Sequence, residues 1–256
     1  MTLICVASPK GGVGKTMVAA HLADEVRRAG APRVVVVDLD PQNALRLYYG
    51  IPMSERFGIS SCIVSGRPWI EAAKLSPHDV IVYPYGSQPV RVQAELEHAL
   101  QLRPNLIAQE VFALSQQPET IVIVDTSPGY SVSLSSLLPI ADMVVTVMTP
   151  EASCVSLVPE IHAGSCYQLD ATTPLRFDHR IVINRFDPMN RVSAMAMPQL
   201  VRRFGPMLLG TIYRDEHIGE AFASQKLINH YAPHSRAAAD LDQVGSQFIQ
   251  SIQNLH

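Results

Sequence analysis

Short, unbroken apolar runs recur along the chain, at residues 3–7, 33–37, 80–83, 120–124, 143–148, 180–183 and 208–212. They are rich in valine and isoleucine and do not alternate apolar with polar positions. That pattern suits strands buried on both faces of a parallel sheet. Between them, apolar residues return at helical spacing over 15–29, 90–117, 131–138, 153–166 and 191–204, with a break expected at Pro104. Proline cannot donate the helical N–H and its ring crowds the preceding turn. Strands alternating with helices predict an α/β fold with a doubly wound, mainly parallel sheet flanked by helices. Near the end, Leu241, Val244, Phe248, Ile249, Ile252 and Leu255 fall at helical spacing, as expected of a terminal helix packed on the core. No repeat or linker interrupts the pattern, so one domain over residues 1–256 is expected.

In such folds ligands collect beyond the carboxyl ends of the strands, so the residues just after each run carry the chemistry. The first run leads into Ser8-Pro9-Lys10-Gly11-Gly12-Val13-Gly14-Lys15-Thr16 and then a helix. Glycines there let backbone N–H groups curl around an anion, and the opening helix turns its positive end toward it. Lys15 suits the β- and γ-phosphates of a nucleotide, and the Thr16 hydroxyl suits Mg²⁺. The strict phosphate-loop pattern has glycine where this chain has Pro9. It also lacks the second lysine, Lys10. The lysines of the chain are Lys10, Lys15, Lys74 and Lys226, so two of them crowd one turn. Two like charges so close are costly unless polyphosphate lies between them.

Two other strand ends are acidic. Asp38-Leu39-Asp40-Pro41-Gln42 follows the second run, and Asp125-Thr126-Ser127-Pro128-Gly129 follows the fourth. A carboxylate directly after an apolar strand in a phosphate-loop protein is suited to hold Mg²⁺ through its water shell. The alternative is that these aspartates cap the following helices. A later strand ends in Asn184, whose amide offers a donor and an acceptor to a nucleobase edge, or else forms a turn.

Composition narrows the classes. The 256 residues are 47% hydrophobic and carry a formal net charge of −3, which argues against whole-surface attraction to nucleic acid or anionic lipid. Cys5, Cys62, Cys154 and Cys166 form no C-x-x-C pair, so reduced thiols are expected rather than disulfides, a zinc ribbon or a bridging iron–sulfur cluster. The histidines show no H-E-x-x-H spacing, and G-x-S-x-G is absent. No apolar run approaches the about 18 residues of a membrane span, and no signal segment is apparent, so a cytoplasmic protein is expected.

The loop around Lys10 and Lys15 resembles the deviant Walker A motif of the ParA/MinD superfamily of phosphate-loop ATPases. That resemblance implies ATP and Mg²⁺, with ATP sandwiched in a homodimer and Lys10 reaching the nucleotide of the other subunit. It implies nucleotide contacts from Gly11, Gly12, Val13, Gly14, Lys15, Thr16 and Met17. Asp125 matches the Walker B aspartate, and Gly129 a loop able to approach the γ-phosphate. Asp38 is implied to support magnesium and its waters, and Asp40 to orient or deprotonate the attacking water. Asn184 resembles the base-recognition residue, with Ile212, Tyr213 and Arg214 covering the other side of the base. Pro9 is a mild departure from the pattern. Met17 stands where the family usually has threonine, which leaves Thr16 intact but alters the α-phosphate surroundings.

Two longer stretches point to a branch. Residues 38–52 lack the glycine-asparagine-alanine-threonine that follows Asp-Pro-Gln in partition ATPases. Together with residues 213–238 they resemble the BcsQ family, encoded with bacterial cellulose synthase. That implies an ATP-switched dimer supporting assembly, activation or polar placement of the cellulose secretion machinery, bound to its components and to a small regulatory partner. Recruitment to the inner membrane or cell pole would then run through partners. A partition ATPase is the neighbouring alternative and would use Arg202, Arg203, Arg214 and Arg236 toward DNA. Direct membrane insertion is not expected, because residues 240–256 carry Asp240 and Asp242 but no lysine or arginine. A non-hydrolysing scaffold that binds ATP for shape is the remaining reading.

Overall fold

The computed structural model describes residues 2–167 and 176–255. Its strands are β1 (Thr2–Ala7), β2 (Arg33–Asp38), β3 (Lys74–Leu75), β4 (Val80–Tyr83), β5 (Thr120–Asp125), β6 (Met143–Met148), β7 (Asp178–Phe186) and β8 (Leu208–Tyr213). They form one sheet in the order β3-β4-β2-β5-β1-β6-β7-β8, parallel throughout except for β3 with β4. The helices are α1 (Lys15–Arg28), α2 (Ile59–Ser65), α3 (Val90–Leu102), α4 (Asn105–Ser115), α5 (Val132–Leu137), α6 (Ala152–Val155), α7 (Val158–Ala163), α8 (Arg191–Phe204), α9 (His217–Ala223), α10 (Ile228–Tyr231) and α11 (Arg236–Gln253). The doubly wound, mainly parallel sheet expected from the apolar runs is present.

The runs are continuous because successive side chains enter different cores. Ile4, Val6, Val34 and Val36 join one, while Leu3, Cys5, Val35 and Val37 join the other. Leu22 of α1, Leu200 of α8 and Phe248 of α11 close the first core. Ile59 of α2, Leu100 of α3, Val111 of α4 and Leu137 of α5 close the second. Covering both faces leaves no polar side for the central strands. The helical stretch 90–117 divides at Pro104 into α3 and α4, as expected. The stretch 153–166 also divides, which its spacing did not predict. Pro159 lies in the first turn of α7, where its missing N–H is no loss, but it could not have bonded back to Val155 in a continuous helix.

Two histidines are built into this frame as neutral rings. The Ile228 N–H donates to His21 Nε2 at 2.9 Å, so Nδ1 carries the proton and donates to the Met17 carbonyl at 2.7 Å. His179 Nε2 lies 2.7 Å from the Thr146 hydroxyl, and its Nδ1 is buried without a partner among the described residues. Burial lowers both from the ordinary 6.5 to about 4. Each ring therefore favours the folded state in full above pH 6.5 and loses that contribution as pH falls toward 4. Ring NMR titration should give midpoints near 4 for these two; a midpoint at 6.5 for either would show that its ring is not held neutral by burial.

Candidate nucleotide-binding site

The loop between β1 and α1 sits at the carboxyl edge of the sheet, beside its central strand. Gly12 and Gly14 take φ of 78° and 89°, a region that L side chains rarely adopt. Gly14 opens α1, and its carbonyl accepts the Val18 N–H at 3.0 Å. Gly129 donates its N–H to the Ser8 carbonyl at 2.7 Å, so the loop after β5 lies against the loop after β1. Gly11 and Gly12 are exposed, Pro9 and Lys10 are half-buried, and Val13 is buried. Among the described residues, no carboxylate lies within ion-pair distance of Lys10.

The register of β2 and β5 places Asp38 directly beside Asp125. Both are fully buried. Burial comes first in raising each above the usual carboxylate range; for Asp38 the neighbouring Asp125 charge adds to it, while for Asp125 the Lys15 ammonium opposes it. Lys15 Nζ donates to Asp125 Oδ1 at 2.5 Å and lies 3.8 Å from Asp40 Oδ2. Thr16 opposes the upward push on Asp125 as well. Asp38 is fixed by the backbone: Oδ1 accepts the Asp40 N–H at 2.9 Å and Oδ2 the Leu45 N–H at 3.2 Å. Asp40 Oδ1 accepts the Gln42 N–H at 3.0 Å. Three carboxylates thus face one ammonium. Asp125 Oδ2 and Ser8 Oγ are buried with no partner among the described residues. An acidic floor with an orphaned carboxylate oxygen, under a glycine loop, fits a divalent cation bound with a nucleotide.

Gly14, Met17, Asn184, Tyr213 and Arg214 meet instead around a cleft of about 590 Å³ on the β7–β8 side of the loop. Asn184 is partly committed before any ligand arrives. Its Nδ2 donates to the Val13 carbonyl at 2.7 Å and its Oδ1 accepts the Arg185 N–H at 2.9 Å. It therefore braces the loop, with one N–H and one lone pair left for a base. Ile212 is buried in the core below the cleft. Tyr213 is held from behind by the Arg236 guanidinium, 3.3 Å from its ring centre, and its N–H donates to Asp240 Oδ2 at 2.9 Å. Sequence reasoning missed Tyr48, Glu151, Asp187 and Phe222, which also line the cleft. Glu151 and Asp187 follow strands β6 and β7, so the strand-end rule could have found them; Tyr48 and Phe222 left no such signal.

The sequence profile of the cellulose biosynthesis protein BcsQ family matches residues 1–247. The chain belongs to that family. Cellulose biosynthesis protein BcsQ of Escherichia coli K12 is 25% identical over 242 residues, which is 94% of this chain and 91% of the relative. A structure described as a plasmid partition protein of Borrelia burgdorferi B31 bound to AMPPNP superposes with a TM-score of 0.77 at 20% identity, covering 98% of this chain and 99% of that one. The septum site-determining protein MinD of Pyrococcus horikoshii OT3, complexed with Mg-ADP, superposes with a TM-score of 0.76 at 18% identity, covering 100% and 98%. The fold is that of the ParA/MinD phosphate-loop ATPases.

Within this BcsQ-family chain the four cysteines are free thiols, and burial pushes Cys5 up to about 12. No helix among the described residues is long and apolar enough to cross a membrane. The four arginines considered for DNA do not gather into one patch. Arg214 pairs with Glu216 and Arg236 with Asp240 on the cleft side, whereas Arg202 and Arg203 border a different groove.

Proposed function

We propose that this BcsQ-family ATPase is an ATP-driven dimeric switch for the bacterial cellulose synthase machinery. The observation that carries this reading is Lys10, a second loop lysine without a counter-ion among the described residues, beside Lys15, which already has two carboxylates. A monomeric site has no use for it. A second subunit's ATP gives it a partner.

On this reading the loop Gly11–Gly14 with Met17 cradles the phosphates. Lys15 moves from Asp125 onto the β- and γ-phosphates, and Lys10 bridges to the nucleotide of the other protomer. Thr16, Asp38 and Asp125 would hold Mg²⁺, which when bound would neutralise charge on the phosphates. Asn184, Tyr213 and Arg214 seat the base in the cleft. Asp40 orients water for in-line attack on the γ-phosphorus and accepts its proton as the bond to the β-phosphate oxygen breaks, giving ADP and phosphate. Hydrolysis removes the charge that draws Lys10 across, so the dimer and its partner-binding surface dissolve together. Components of the cellulose synthase complex and a small regulatory protein are the partners, and they bring the switch to the inner membrane or pole.

Deleting the gene should abolish or misplace cellulose and leave plasmid retention and septum position unchanged. Lys10→Ala should bind ATP yet stay monomeric in light scattering with a slowly hydrolysed analogue, and should not restore cellulose. A nucleotide-dependent dimer of Lys10→Ala would sink the bridging role. Chromosome loss with normal cellulose would move the protein to the partition branch.

A further inference from the structure

A second concave surface lies away from the nucleotide cleft. It is a groove of about 550 Å³ between the α6–α7 turn and the C-terminal half of α8. Val155, Val158 and Pro159 form one wall, Leu200 the floor, and Arg202 and Arg203 the rim. Val155 and Val158 are only partly buried against the core, and Pro159 is exposed.

The rim is charged. Some surface arginines are neutralised by a carboxylate: Arg28 has Glu25 and Asp242, Arg67 has Glu71, Arg91 has Glu95, and Arg180 has Asp178. Arg202 and Arg203 have none among the described residues. Glu160, the acidic residue nearest in sequence on the facing wall, does not line the groove. An apolar trough edged by two uncompensated guanidinium groups, on a chain of net charge −3, is complementary to one kind of ligand. Its ligand must bring apolar side chains for the floor and carboxylates for the rim.

We propose that this groove docks an acidic amphipathic segment of a partner protein, with one or two apolar anchors flanked by Asp or Glu. Two arginines are too few for the many phosphate contacts that sequence-independent DNA binding uses. A membrane would be met by apolar side chains projecting from a convex face rather than recessed in a trough. A short helix or strand with anchors at matching spacing fits the concavity, and bidentate Arg–carboxylate pairs set its direction. The docking requires no nucleotide, so it stands apart from the switch proposed above.

The experiment is selection of a random peptide library on the purified full chain, with Arg202→Glu/Arg203→Glu as the counter-selecting protein. Both positions are exposed, so the double variant should keep the parental melting temperature. Enriched peptides should carry acidic residues beside leucine, isoleucine or aromatic anchors. Synthetic copies should bind at least about tenfold more weakly to Arg202→Glu/Arg203→Glu by fluorescence anisotropy, and more weakly to the parent as salt rises. Arg202→Ala/Arg203→Ala should fall between the two. Enriched sequences that are neutral or basic, or that bind parent and variant alike, would overturn the proposal. So would a result in which duplex DNA or phosphatidylserine vesicles, and no peptide, bind in a way that depends on these arginines.

Discussion

Asp40→Asn should bind ATP with parental affinity and hydrolyse it about 10² to 10⁴ times more slowly, the range a positioned proton acceptor contributes. The geometry makes asparagine the informative replacement. Asp40 Oδ1 accepts the Gln42 N–H at 3.0 Å, and an asparagine oxygen can keep that bond. The Asp40 backbone N–H, which donates to Asp38 Oδ1 at 2.9 Å, is untouched. Oδ2, 3.8 Å from Lys15 Nζ, is the atom whose basicity is lost. Asp40→Ala also frees the Gln42 N–H and loosens the turn, so its loss of rate would mix chemistry with shape. Single-turnover phosphate release beside equilibrium ATP binding separates the two. Parental turnover in Asp40→Asn would remove Asp40 from the chemistry and leave a scaffold that holds ATP for shape.

Which parts of this site were legible depended on whether a residue acts through its own neighbours in sequence. Asp38 and Asp125 stand directly after apolar runs, Asp40 follows two residues on, and Lys15 and Thr16 open the helix after the first run; strand ends converge in a doubly wound sheet, so position alone assembles them. The side-by-side register of Asp38 and Asp125 follows from β2 lying next to β5, an order that no local pattern encodes. The cleft was half legible. Tyr213 ends β8 and Asn184 lies two residues before the end of β7, but Tyr48 lies in a short 3-10 turn (Leu45–Tyr49) and Phe222 in α9, and only tertiary packing brings their rings to 4.9 Å. Helix α2 was missed because Ile59, Ile63 and Val64 are β-branched and its serines favour turns. Strand β3, with two residues, is too short to carry a period. The brace from Asn184 to Val13 was invisible for the same reason: it joins residues 171 apart.

That brace makes Gly14→Ala the most damaging small substitution expected in the loop. Gly14 has φ of 89°, and moving an L residue into the left-handed region costs about 1–2 kcal/mol. A Cβ there would also drive into the Asn184 amide, which must swing away and release the Val13 carbonyl. A buried carbonyl left unpaired costs about 1–3 kcal/mol more. At about 2–4 °C per kcal/mol for a chain of this size, the melting temperature should fall by about 10 °C. ATP affinity should collapse with it, because the loop and the cleft lose their common anchor. Gly12→Ala is the control: its φ of 78° carries a similar backbone cost, but nothing lies within 4 Å of a Cβ there. Its melting temperature should drop by only a few degrees. Asn184→Ala removes the obstacle, so the double variant Gly14→Ala/Asn184→Ala should melt no lower than Gly14→Ala alone. Residues that share a contact are non-additive in this way. If the two losses simply add, Asn184 does not brace the loop, and the cleft and the phosphate loop would have to be treated as independent parts.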